Sequence, residues 1–258
     1  MLGRFFSRFW QSPRGRQDAM EGDAGADGGM TQDAVRAALA AFLREPLAHP
    51  AIVDYEMVAR MKAAAEAADY MVAHMMNASN LVRRAELLAF ALDACTVEGL
   101  ILEFGVFRGE SLRFLAKRTV QPVHGFDSFE GLPKDWTYFQ KQGRFSLDGS
   151  VPQFTESNIR IYKGWFEQTL PEFLAGHAEL LRLVHIDCDI YASTRTVFEL
   201  IAPRLVRGSV IVFDEYLAYP SWQQHEYKAF QEYVAAHGVR YRYIGFASSH
   251  TSVAVVIE

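Results

Sequence analysis

The chain has 258 residues, half of them hydrophobic and 22% charged, with a formal net charge of −5. That length accommodates one sizeable domain plus an extension, and the acidic balance, with no long Lys/Arg run, argues against nucleic acid as a partner. Cys95 and Cys188 are too few and too far apart for a disulfide framework, which fits a reducing cytoplasm. No stretch is long and apolar enough to span a bilayer.

In chain order, residues 1–30 read as a disordered leader. Met1 to Trp10 sets Arg4 and Arg8 among Phe5, Phe6, Phe9 and Trp10, and a Gly/Asp-rich segment follows. The continuous apolar run and small-residue cleavage site of a secretory signal are missing. The alternative is a short interfacial anchor making weak peripheral membrane contact. Residues 31–96 read as an N-terminal helical region, rich in Ala, Met, Leu and Glu, with an apolar stripe at Val58, Met61, Ala65 and Ala68. Pro46 and Pro50 break this run once, and Asn77 to Asn80 break it again.

From residue 97 to 258 short apolar runs alternate with helical stretches, the texture of βαβ units on a parallel sheet. Strands are expected at Leu100–Phe104, Val123–Phe126, Ile159–Tyr162, Leu183–Ile186, Ser209–Phe213, Tyr241–Phe246 and Ser252–Ile257, with a helix over Gln224–His237. The fold class is therefore α/β: a Rossmann-like, doubly wound, mostly parallel sheet of seven strands, closed by an antiparallel C-terminal edge hairpin and preceded by helices. Such sheets bind ligands beyond the carboxyl ends of their strands, where the strand order reverses.

The residues past the strands carry the chemistry. Gly105 and Gly109 let the first strand-to-helix turn approach a ligand closely, and the following helix start offers free N–H groups. Asp127 ends the next strand, where a carboxylate accepts hydrogen bonds from ribose hydroxyls, or else simply caps a turn. Phe107 stands where a dinucleotide fingerprint has its middle glycine. Adenosine without a pyrophosphate suits S-adenosylmethionine, with Glu103 placed for its ammonium. Four carboxylates, Asp187 and Asp189 flanking Cys188, then the adjacent Asp214 and Glu215, converge unless a cation, proton or ammonium separates them. Oxygen ligands of that kind suit Mg²⁺. Asp187 or Asp189 is the candidate base, and His225 is a second candidate. His185 reads as core. Tyr216, Tyr219, Trp222 and Tyr227 read either as a platform for a sugar acceptor or as helix packing.

Five motifs in order, EFGVFRGES, FDSFEGLP, YKGWFEQTLP, HIDCDIYAST and VIVFDEY, make the chain from Leu100 onward resemble the macrocin O-methyltransferase family of class I methyltransferases. The resemblance implies methylation of a hydroxyl on a sugar, glycoside or related polyhydroxylated small molecule. It implies cofactor contacts at Glu103, Gly105, Gly109, Ser111 and Asp187, with Asp127 on the ribose and Ser128, Phe129, Gly164 and Trp165 around the adenine. For Phe129 and Trp165, core packing is the alternative. It also implies metal ligands at Asp187, Asp214 and Glu215, although this chain has Asp-Glu where the family has paired Asp. Two competing readings stand: an NAD-linked oxidoreductase, and a cofactor-binding protein without turnover. The oligomeric state is left open, a homo-oligomer included.

Overall fold

In a computed structural model of the protein, residues 55–137 and 140–258 are described. The leader, its proposed membrane contact and the Pro46/Pro50 break lie outside them. The elements are α1 (Tyr55–His74), β1 (Ser79–Leu81), α2 (Arg84–Ala94), β2 (Leu100–Phe104), α3 (Glu110–Ala116), β3 (Val123–Asp127), β4 (Ile159–Lys163), α4 (Phe166–Gly176), β5 (Leu181–Ile186), α5 (Tyr191–Ile201), β6 (Val210–Phe213), α6 (Glu226–His237), β7 (Tyr241–Ala247) and β8 (Val253–Ile257).

Continuous apolar runs become the central strands because both of their faces are covered. Every residue of β2 and of β6 is buried. The sheet runs β1-β7-β8-β6-β5-β2-β3-β4, and β8 is antiparallel to both β6 and β7. The expected antiparallel C-terminal pair is present, but the sheet has eight strands, and the pair is not at the edge. Ser79–Leu81, overlapping the Asn77–Asn80 helix break, pairs in parallel with β7 and covers its outer side. Three residues carry too little alternation to reveal a strand in sequence.

The stripe expected on the first helix also differs. Val58, Ala65 and Ala68 are exposed, while Ala63 and Ala67 face the core. In so alanine-rich a helix, three- and four-residue steps fit more than one face, so spacing alone does not choose between them.

Two apolar layers flank the sheet. Leu102, Phe104, Val184, Ile186 and Phe213 point to one, with α4, α5 and α6; Ile101, Leu183, Val210 and Val212 point to the other, with Leu87 and Leu88 of α2 and Leu112 of α3. Strand alternation extends that second row to Glu103, His185 and Asp214. The strand order reverses between β2 and β5, and β2, β5 and β6 end level, with Phe104 opposite Ile186 and Ile186 opposite Phe213. The next residues, Gly105, Asp187 and Asp214, therefore share one edge. At Gly105, φ is +92° and a Cβ would lie 1.8 Å from the Asp187 carbonyl oxygen, so only glycine lets these two loops meet.

Candidate active site

The glycine turn and the following strand are tied together by Asp127. Its Oδ2 accepts the backbone N–H groups of Val106 and Phe107, both at 2.8 Å, and its Oδ1 accepts that of Phe129 at 2.7 Å. Phe107 and Phe129 have φ of 48° and 59°, a left-handed conformation that costs a non-glycine residue about 1–3 kcal/mol. One carboxylate thus accepts from the amides of both strained residues and fixes the two turns against each other. Asp127 is half-buried. Its Oδ1, with a single donor, retains acceptor capacity for a hydroxyl, so this edge suits an adenosine ribose.

The other expected cofactor residues fall into two groups. Glu103 is fully buried, with Oε1 accepting from Ser111 Oγ at 3.0 Å and Oε2 bonded to His185 Nδ1 at 2.9 Å. Ser128 is buried and its Oγ accepts the Glu130 N–H. Phe129 is 1% exposed and packs in the apolar layer below the turn, which leaves it no ring face for an adenine. Trp165 is half-buried at the start of α4, beside Gly164. Gly109, with φ +78°, sits under Phe154 and begins α3.

The acidic edge is built around two side-chain cations. Arg84, first residue of α2, places Nη2 2.7 Å from Asp187 Oδ2 and Nε 2.6 Å from Asp214 Oδ1. His185 lies between Glu103 and Asp214, its Nε2 3.7 Å from Asp214 Oδ1. Burial opposes protonation of His185, but its contacts with Asp214 and Glu103 prevail and raise its pKa to about 9. The residue expected in the core is there, with two buried carboxylates favouring its protonated form. Asp214 also resists ionisation through burial, yet Arg84, His250 and His185 hold it below the usual carboxylate range. Ser252 Oγ donates to its Oδ1 at 3.2 Å. Asp187 moves the other way, raised by burial and the neighbouring Asp214 despite Arg84.

Asp189 and Glu215 are held by a residue that the sequence did not single out. Glu226, fully buried in the first turn of α6, accepts the Asp189 N–H on Oε1 at 3.3 Å and the Glu215 N–H on Oε2 at 3.2 Å. Burial, with Asp189 and Asp214 nearby, raises the Glu226 pKa well above the ordinary value. Asp189 has φ +65° and is 4% exposed.

Carboxylate oxygens of Asp187, Asp189 and Glu215 lie within 4.8 Å of one another, as do ligand atoms of His185, Asp187 and Asp214. The expected metal set, Asp187 with Asp214 and Glu215, does not fit an ion here, because the Arg84 guanidinium stands between the first two. Cys188 is buried with Sγ 3.5 Å from Thr194 Oγ1, which places its thiol in the core.

His225, at the start of α6, is half-buried against Trp136 and Tyr219, and burial lowers its pKa. Its Nε2 lies 3.4 Å from Ser221 Oγ. The aromatic group after the acids is mostly core: Tyr216 and Trp222 are fully buried, Tyr219 is 9% exposed, and the Tyr216 and Tyr70 hydroxyls bond Tyr243 at 2.9 and 2.6 Å. Of the two readings for these rings, packing describes what they do.

The family profile described as Macrocin-O-methyltransferase (TylF) matches residues 27–244. The chain belongs to the macrocin O-methyltransferase family. It is accordingly an S-adenosylmethionine-dependent methyltransferase, and the NAD-linked alternative is set aside. A tetracenomycin derivative 4'-O-methyltransferase of Streptomyces olivaceus is 28% identical over 173 residues, covering 56% of this chain and 63% of that enzyme. Mycinamicin III 3''-O-methyltransferase of Micromonospora griseorubida is 25% identical over 230 residues, covering 76% and 87%. The calicheamicin methyltransferase CalS11 shares the fold with a TM-score of 0.53 and 21% identity, over 92% of this chain and 98% of that one. The family's mostly parallel sheet is the one described above. Among the described residues no helix is long and apolar enough to cross a membrane.

Proposed function

We propose that this protein methylates a hydroxyl on the sugar of a glycosylated small molecule, using residues 97–258 as the catalytic domain. The observation that carries this reading is the shared edge of β2, β3, β5 and β6, where the Gly105 turn and Asp127 lie beside Asp187 and Asp189. One relative is named for 4'-O-methylation of a rhamnosyl-tetracenomycin and another for 3''-O-methylation of mycinamicin III.

Bound S-adenosylmethionine supplies an activated methyl on its sulfonium. Asp127 receives the ribose, Gly105 and Gly109 give close backbone approach, Glu103 and Ser111 lie at the amino-acid end, and Gly164 and Trp165 border the adenine. Because the methyl is already activated, the protein's tasks are in-line positioning and removal of the acceptor proton. Asp189 is assigned as the base that takes that proton. The left-handed backbone of Asp189 is the kind of strain that surrounding structure maintains at reactive positions, and Glu226 fixes its amide.

The test is transfer of labelled methyl from S-adenosylmethionine to a panel of deoxysugar glycosides. Asp189→Asn is expected to lower kcat on the order of 10²- to 10⁴-fold while leaving S-adenosylhomocysteine affinity within about twofold. Full activity of that variant would remove Asp189 from the mechanism. Cofactor binding with no transfer to any glycoside would favour the reading without turnover.

A further inference from the structure

Arg84 occupies a position that its own helix does not favour. Arg83 precedes α2 and Arg84 begins it, and a cation at a helix N-terminus is opposed by the helix dipole. The compensation is tertiary: Asp187 at 2.7 Å and Asp214 at 2.6 Å, from the ends of adjacent strands. The placement is anchored, since β1 pairs with β7 just before Arg84 and α2 packs against β6 and β7. Asp214 is 2% exposed on its side chain and Arg84 30%, so the pair is largely withdrawn from water. A guanidinium is always charged, and this one donates a hydrogen bond to Asp187 while its Nε lies at ion-pair distance from Asp214. A divalent ion joining Asp187 to Asp214 would need their oxygens at about 2.0–2.6 Å, in the volume that the guanidinium fills.

We propose that Arg84 is the resident counter-ion of the Asp187–Asp214 edge and keeps a divalent cation out of it. Asp214 is then a partner of Arg84, His185 and Ser252, and is not a metal ligand in this chain. Arg84 is a positioning residue: it holds the Asp187 carboxylate through Oδ2. The inference uses the same edge as the methyl-transfer reading but not its chemistry. Its test reads ion binding without turnover, so one can fail while the other stands.

The experiment titrates Mn²⁺ into the full chain, followed by calorimetry and by the electron paramagnetic resonance of free Mn²⁺. It compares wild type, Asp214→Asn, Asp189→Asn, Arg84→Met and the double variant Arg84→Met/Asp214→Asn, with circular dichroism to establish folding. Wild type is expected to show no saturable site that Asp214→Asn removes. Arg84→Met is expected to gain one, which the double variant loses. A wild-type site lost in Asp189→Asn but kept in Asp214→Asn also agrees, because it lies off the edge that Arg84 fills. A wild-type site abolished by Asp214→Asn overturns the proposal, and so does a folded Arg84→Met that gains no site. Should Arg84→Met not fold, the comparison of wild type with Asp214→Asn decides alone.

Discussion

Glu103 and His185 are register partners on β2 and β5, joined by a 2.9 Å bond between Oε2 and Nδ1 with both side chains fully buried. The pair lies at the switch point of the sheet, where a void or an unpaired charge would separate the cofactor turn from the acidic edge. Breaking a buried ion pair by removing one partner costs about 3–5 kcal/mol, because the other charge stays behind. Glu103→Gln is therefore expected to lose about that much stability in urea unfolding. A loss under about 1 kcal/mol would mean that His185 is neutral and the bond ordinary.

Glu226 holds the backbones of Asp189 and Glu215 through its two oxygens. Glu226→Ala releases both amides and lets the loops shift. Displacement of about 1 Å at a reacting group costs on the order of 10²-fold in rate, so kcat should fall by about that factor. S-adenosylhomocysteine affinity, set at β2 and β3, should hold. Steady-state kinetics together with a binding titration separate the two effects. Equal losses in both would assign Glu226 to the general fold instead.

His124 of β3 gives a pH dependence away from the acidic edge. It is buried, bonded to Tyr162 Oη at 3.0 Å, and its pKa is lowered to about 4 by burial, His177 and Arg160. The unfolded chain takes up this proton near 6.5 while the folded chain resists it until about 4, so stability falls as pH drops from 6.5 toward 4. His124→Phe, which keeps the packing against Phe173, should flatten that part of the profile by on the order of 1 kcal/mol. Urea midpoints at pH 7.5 and 5 measure it, and identical slopes for both proteins would refute the assignment.

Much of the sheet was legible because continuous apolar runs and period-two alternation state both the strands and their faces. The seven expected strands are all present. The eighth, Ser79–Leu81, owes its conformation to pairing with β7, which no local pattern encodes. The acids past the strands were legible for the same reason as the strands themselves.

Their partners were not, because an ion pair between residues separated by 103 positions leaves no spacing to read. A signal for Arg84 did exist: an arginine opening a helix conflicts with the dipole and calls for acids elsewhere. Glu226 gave no such signal, since an acid in a first helical turn is ordinary. His185, inside its strand, is core as expected, but no spacing shows that Glu103 and Asp214 flank it from adjacent strands. The aromatic residues after Glu215 show the converse, for their composition suits a sugar while their positions pack α1 and α6.

The central claim is that the edge joining Asp127 to the glycine turn holds S-adenosylmethionine, and calorimetric titration with S-adenosylhomocysteine tests it most directly. Wild type is expected to bind one equivalent saturably without added metal. Asp127→Ala should weaken this about tenfold or more, the loss of a hydrogen bond to a charged group. Folded wild-type protein that binds none, or an Asp127→Ala variant that binds equally well, would contradict the account.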